Sequence, residues 1–134
     1  MNPENFLEKL NSIQELMTQE KYSDAIEILE NLKNIEKNSG INYNYNLIHQ
    51  LYQLDSNCRS ALNQQIILKQ LKDISTKKNS ISFEELNQVL REKGGLQISK
   101  EILRREIELL ILRNFLKCEL KGDQFILFSP ERNH

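Results

Sequence analysis

The sequence predicts a mainly α protein that closes in a β-hairpin, and three observations carry the prediction. Apolar residues recur three and four positions apart through most of the 134 residues, the spacing that gathers them on one face of a helix. From Leu116 the apolar positions Leu116, Cys118 and Leu120 alternate with Lys117, Glu119 and Lys121, the period-two pattern of a strand with one buried face. Gly122-Asp123 then fits the two central positions of a tight turn, and Gln124 to Phe128 reads as the returning strand.

The first helix is expected to start at Asn2-Pro3, an N-cap followed by proline where a missing N–H costs nothing. Phe6, Leu7, Leu10, Ile13, Leu16 and Met17 form its apolar face to about Glu20. After a Lys21-Tyr22 corner, Asp24 and Glu27 have the spacing of a capping box for a second helix. Ala25, Ile26, Ile28, Leu29, Leu32 and Ile35 supply its buried face, and Gly40 ends it, with Lys37 near the negative end of the helix dipole. So short a connection makes the two an antiparallel αα-hairpin. Beyond the polar stretch from Ile41 to Asn46, a third helix carries Leu47, Ile48, Leu51, Tyr52, Leu54, Cys58, Ala61 and Leu62, with Asp55-Ser56-Asn57 as a candidate interruption. A fourth, Gln64 to Ser75, carries Ile66, Ile67, Leu68, Leu71 and Ile74. No proline lies between Pro3 and Pro130, so the sequence leaves open whether the third and fourth are continuous. Thr76 to Ser80 reads as a basic, polar connector.

From Ile81 the signals sharpen. Ser82 caps a helix at Phe83, with Glu85 as box partner and Leu86, Val89 and Leu90 as inner face, and Gly94-Gly95 stops it. Ser99 caps a long helix from Lys100 to about Asn114, whose Leu103, Ile107 and Leu110 are expected to pack on Leu86, Val89 and Leu90 and on the inner face of the hairpin. Helix, turn, helix and hairpin in that order outline a winged helix. The expected architecture is therefore an N-terminal helical hairpin or short repeat, residues 1–62, packed on a C-terminal winged helix with a two-stranded β-hairpin wing, residues 63–130, and a frayed tail, 131–134.

Composition bounds the function. A chain of 134 residues, 39% hydrophobic, supports one moderate core or two small ones sharing an interface. The longest uninterrupted apolar runs, such as Leu109 to Leu112, fall far below the ~20 residues of a membrane span, so no membrane insertion is expected. Asn2-Pro3-Glu4 lacks the basic leader of a secretory signal, and Cys58 and Cys118 stand far apart without a metal-ligand spacing. The expectation is a soluble cytoplasmic protein with reduced thiols and without a metal or cofactor. Residues 1 to 62 hold five Lys or Arg against nine acids, and residues 63 to 134 hold thirteen against ten, a split of −4 and +3. A net +3 is weak beside the basic stripe of a phosphate-binding domain.

The stretches NSISFEELNQVL, SKEILRREIELLILRNFLKCEL and GDQFILFSPE resemble the winged-helix part of PCI-type proteins, the scaffold subunits of the proteasome lid, the signalosome and a translation initiation factor. In those proteins a helical repeat array precedes the winged helix, and KYSDAIEILENLKNIEKNSG is similar to one tetratricopeptide-like repeat helix, with Tyr22 and Ala25 at the corner positions. The ending GDQFILFSPE also resembles winged helices of ufmylation ligase adaptors, and the general layout is similar to endosomal-sorting subunits built from paired winged helices. All three resemblances imply modules that join protein subunits and carry no catalytic residues.

The function expected is thus a non-catalytic assembly subunit, scaffold or adaptor whose partners are other protein subunits of a complex. The alternative is a nucleic-acid-binding regulator, since in many winged helices the second helix of the motif enters the major groove. At 100° steps the solvent face of the Ser99 to Asn114 helix presents Lys100, Glu101, Arg104, Arg105 and Glu108, a face of only +1. Glu101 with Arg105, and Arg104 with Glu108, are spaced to pair along the helix, and two glutamates oppose a phosphate backbone. The candidate partner surface is Lys100, Arg104, Arg105, Glu108, Leu112 and Ile126, and the hairpin edge can add a partner strand, although its charged alternation discourages casual pairing. A third reading, a small-molecule or peptide groove around Tyr43 to Tyr52, competes with Tyr43 and Tyr45 covering the open end of the first helix pair. No catalytic residue is expected: the histidines are His49 on a helical face and His134 at the C-terminus, and Gly94-Gly95 lacks the context of a phosphate loop.

Overall fold

The computed structural model describes residues 2–38 and 45–127, the last three by backbone alone. The expectations for Gly40, Ile41 to Asn44, Phe128 and the 131–134 tail lie outside these residues. The elements are α1 (Pro3–Thr18), α2 (Tyr22–Asn38), α3 (Tyr45–Ser75), β1 (Ser80–Ser82), α4 (Phe83–Lys93), α5 (Lys100–Leu112), β2 (Cys118–Lys121) and β3 (Gln124–Leu127). The protein is mainly α, and it divides into two compact units, Met1–Leu62 and Asn63–His134.

In the first unit, Asn2 caps α1 by accepting from the Asn5 amide at 2.8 Å, with Pro3 as the first helical residue. The helix ends without glycine. Glu20 takes the left-handed conformation at φ 59°, and the amides of Glu20 and Lys21 return to the carbonyls of Met17 (3.0 Å) and Leu16 (2.9 Å). That closure starts α2 at Tyr22, three residues earlier than a cap at Asp24 would. Asp24 therefore sits in the first turn, where its charge still suits the helix dipole, and the capping box expected with Glu27 is not the start of α2. Phe6, Leu10 and Ile13 of α1 meet Ala25, Leu29 and Leu32 of α2 and Leu51 and Cys58 of α3 in one core. Leu7, on the flank of the apolar face, stays 43% exposed. Lys33 and Arg59 each reach Asp55 and Glu30, tying α2 to α3 at the rim of that core.

The third and fourth helices expected from the sequence are one helix, α3, of 31 residues. Asp55-Ser56-Asn57 does not interrupt it, because Asp55 is engaged by Lys33 and Arg59 and the backbone stays helical. Its first half lends Leu51 and Cys58 to one core and its second half Ile67 and Leu71 to the other.

The second unit is built from the end of α3, two capped helices and a sheet. Ser82 accepts from the Glu85 amide at 3.0 Å and donates to its carboxylate at 3.2 Å, and Ser99 accepts from the Ile102 amide at 3.2 Å. Gly94 and Gly95 stop α4, the amides of Gly94 and Leu96 both returning to the Leu90 carbonyl. A Cβ at Gly94 would lie 2.9 Å from both Ile66 Cγ2 and the Leu90 oxygen, so this turn packs too tightly for any side chain. α5 ends at Leu112 rather than near Asn114, because Asn114 takes φ 62° and closes the helix with amide bonds from Asn114 to Ile111 and from Phe115 to Leu110. Leu103, Ile107 and Leu110 are buried with Ile81, Phe83, Leu86, Leu90, Ile67 and Leu71, and Leu116, Cys118 and Leu120 pack against them from the hairpin side. Val89 is half-buried and stands outside this cluster, so the inner face of α4 is Phe83, Leu86 and Leu90.

The hairpin β2–β3 pairs antiparallel from Cys118↔Leu127 to Lys121↔Gln124, and Leu116 lies before the strand. A third strand joins it. Ser80–Ser82, read from sequence as part of a connector and a cap, pairs antiparallel with β3 through Ser80↔Ile126 and Ser82↔Gln124, giving a sheet of order β1-β3-β2. At the turn, Gly122 has φ 60° and Asp123 does not share the positive φ, the pattern of a turn with glycine at its first central position. Nothing lies within 4 Å of a Cβ built on Gly122, so the objection to a side chain there is conformational and not steric crowding. Gly122→Val is expected to destabilise the hairpin by about 1–3 kcal/mol. Faster amide exchange across residues 116–127 would be the sign of it, and unchanged exchange would refute the turn.

Candidate interaction surface

The surface around α5 and the hairpin is shaped by where the turn lands. The Phe83 amide donates to the Asp123 carbonyl at 3.0 Å, which fixes the turn beside the start of α4. Lys100 Nζ then lies 2.8 Å from Asp123 Oδ1, and Arg104 donates to the Gly122 carbonyl at 3.3 Å and to Glu108 at 3.0 Å. The Arg104 guanidinium also sits 5.2 Å from the Phe83 ring centroid, a cation–π contact. The hydrogen bond and charge of Asp123 raise the Lys100 ammonium above its ordinary pKa. Lys100 and Arg104, two of the bases on the outer face of α5, are therefore held by the hairpin turn.

The remaining candidates are distributed unevenly. Arg105 Nε lies 3.7 Å from Glu106 Oε1, an acid only 1% exposed, while Arg105 itself faces solvent. Glu108 is exposed and held by Arg104. Ile126 is placed by its backbone between Ser80 and Glu119 in the sheet. Leu112 is 78% exposed and Phe115, three residues on past the end of α5, is 65% exposed. Burying apolar surface of this kind is favourable by roughly 25 cal/mol per Å², and among the described residues of the second unit these two are the large exposed hydrophobics. Phe115 escaped the sequence reading because it follows the helix rather than lying on a stripe. Glu106 had a readable signal: it falls between Leu103, Ile107 and Leu110 on the buried face.

Other features offer less. Tyr45 is 82% exposed, and Tyr52 donates its hydroxyl to Glu36 at 3.0 Å. A groove of about 400 Å³ in the second unit is lined by Lys77, Lys78 and Lys93 together with Asp73 and Glu85, a mixture without a preferred ligand sign. Lys78 there bonds Glu85 at 3.2 Å and, with Ser82, holds its carboxyl below the ordinary range. Burial pushes the Cys118 thiol up to about 11, which keeps it protonated at neutral pH, and Cys58 is fully buried with its thiol donating to the Tyr22 carbonyl at 3.5 Å. Among the described residues no cluster of three His, Cys, Asp or Glu is placed to hold a metal, and no helix is long and apolar enough to cross a membrane. Comparison with family models, with curated proteins and with solved structures gave no match.

Proposed function

We propose that this chain is a non-catalytic assembly subunit or adaptor of the cytoplasm, and that residues 63–130 act as a winged-helix module that docks on another protein subunit. The observation carrying the reading is the contrast on α5. Its Lys100 and Arg104 are engaged by the hairpin turn, whereas Leu112 and Phe115 stand exposed at its C-terminal end. Nucleic-acid binding would ask the reverse, free cations and few apolar groups, because phosphate contacts dominate such interfaces. Protein interfaces depend on a few desolvated apolar anchors, with aromatic residues enriched among them.

Leu112→Asp and Phe115→Asp should each weaken capture of the partner subunit by tenfold or more while leaving the melting temperature within a few degrees of wild type. Arg104→Glu with Arg105→Glu should leave capture largely intact. The check is a quantitative pull-down with these variants beside a gel shift of the wild type across a salt series. Submicromolar duplex binding that collapses with salt, with partner capture indifferent to Leu112 and Phe115, would replace the adaptor reading by the regulator.

A further inference from the structure

We propose that β2 pairs antiparallel with β2 of a second copy of this chain, with Leu120 opposite Leu120, so that two three-stranded sheets join into one of six. The inference rests on the assembly reading above and names one partner for it.

The first support is topological. With the order β1-β3-β2, strand β2 is, among the described residues, paired on one side only. A two-residue turn makes its flanking pair, Lys121↔Gln124, a hydrogen-bonded one, and in an antiparallel ladder such pairs alternate. Lys121 and Glu119 thus direct their main-chain groups to β3. Cys118 and Leu120 direct theirs to the open side, where an added strand would meet them.

The second support is charge complementarity, which selects both the partner and the register. Outward-pointing residues must oppose outward-pointing residues, so a symmetric pair can be centred only at whole-residue positions along the strand. Centred on Leu120, Glu119 of each copy lies opposite Lys121 of the other, giving two cross-strand ion pairs around a leucine pair. Centred on Glu119, the glutamates oppose each other and Lys117 opposes Lys121. Centred on Lys121, the lysines oppose each other. Centred on Cys118, the pairing would run through Leu116 and Lys117, which lie outside the strand. One register therefore satisfies both the charges and the extent of β2.

The side chains fit the same arrangement. Glu119 and Lys121 are exposed, with Lys121 Nζ 3.9 Å from Glu119 Oε1 in the same strand, so pairing would extend two charges into a ladder of four alternating ones. Cys118 and Leu120 are half-buried on the opposite face, and pairing brings the two leucines together there. Edge strands are commonly protected by proline or by charges that repel a second strand. β2 has no proline, and its own sequence is the complement of its charges. A contact this short belongs with weak interfaces, and dissociation in the micromolar range is expected.

The experiment is sedimentation equilibrium of the full chain over a concentration series reaching ~1 mM. Wild type should show a reversible monomer–dimer equilibrium. Glu119→Lys and Lys121→Glu should each weaken it by tenfold or more, since each sets like charges opposite. Mixing the two single variants should restore dimers, because the lysines of one then face the glutamates of the other, and the double variant Glu119→Lys, Lys121→Glu should dimerise alone. Mixing cannot repair a folding defect, and the double variant keeps the test open should either single variant fail to fold. A wild type that stays monomeric, a dimer that tolerates both single reversals, or mixing that restores nothing would each overturn the pairing. The Leu112 and Phe115 capture assay separates the two readings: a monomer that still depends on those residues to bind its partner defeats the pairing and spares the adaptor reading.

Discussion

Leu110→Ala is expected to lower the stability of the second unit by about 2–5 kcal/mol, the cost of removing a buried leucine and leaving its cavity. Leu110 is 1% exposed and lies in a cluster with Leu103, Ile107, Phe83, Leu86 and Leu90. Its carbonyl also accepts from the amides of Phe115 and Leu116 as the chain leaves α5. A loosened side chain there disturbs the stop of the helix as well as the core. Thermal unfolding followed by circular dichroism measures the effect, with Glu108→Ala as the surface control. A melting shift no larger than that of the control would refute the orientation of α5.

Phe6→Ala is expected to cost the first unit about 3–5 kcal/mol. Phe6 has no exposed surface, and it is the largest side chain in a core otherwise made of leucines, one isoleucine, one alanine and one cysteine. Small domains have little stability in reserve, so a loss of that size is a large fraction of the whole. Hydrogen exchange resolves where the loss falls: amides across α1 and α2 should lose protection. Protection there equal to wild type would show that Phe6 is not the keystone of the α1–α2 contact.

What the sequence made legible was mostly local. The caps at Asn2, Ser82 and Ser99 each depend on a hydroxyl or amide three residues from the N–H it accepts from, a relation visible in the chain itself. Gly122-Asp123 and the alternation around it gave the hairpin for the same reason. Strand β1 was hidden because three residues are too few to display a period, and its partner β3 is distant in sequence. The ends of α1 and α5 were misjudged by a residue or two because Glu20 and Asn114, and not glycines, take the left-handed turn. The sequence left the continuity of α3 open because the step from Cys58 to Ile67 is not a multiple of the helical spacing, so no one apolar stripe runs its length. On the candidate surface, helical geometry correctly put Leu112 in solvent, but only the long-range landing of the turn on α5 could reveal that Lys100 and Arg104 are engaged.

The continuity of α3 bears on how the protein comes to be folded. The division between the two units falls between Leu62 and Asn63, inside that helix. Starting a helix is the unfavourable step, since the first turn fixes several residues for a single hydrogen bond, whereas each added residue then gains one bond. Two cores drawing on one helix need only one such nucleus. Whichever collapses first leaves the other to elongate a helix already begun, and so the slower half inherits its hardest step completed.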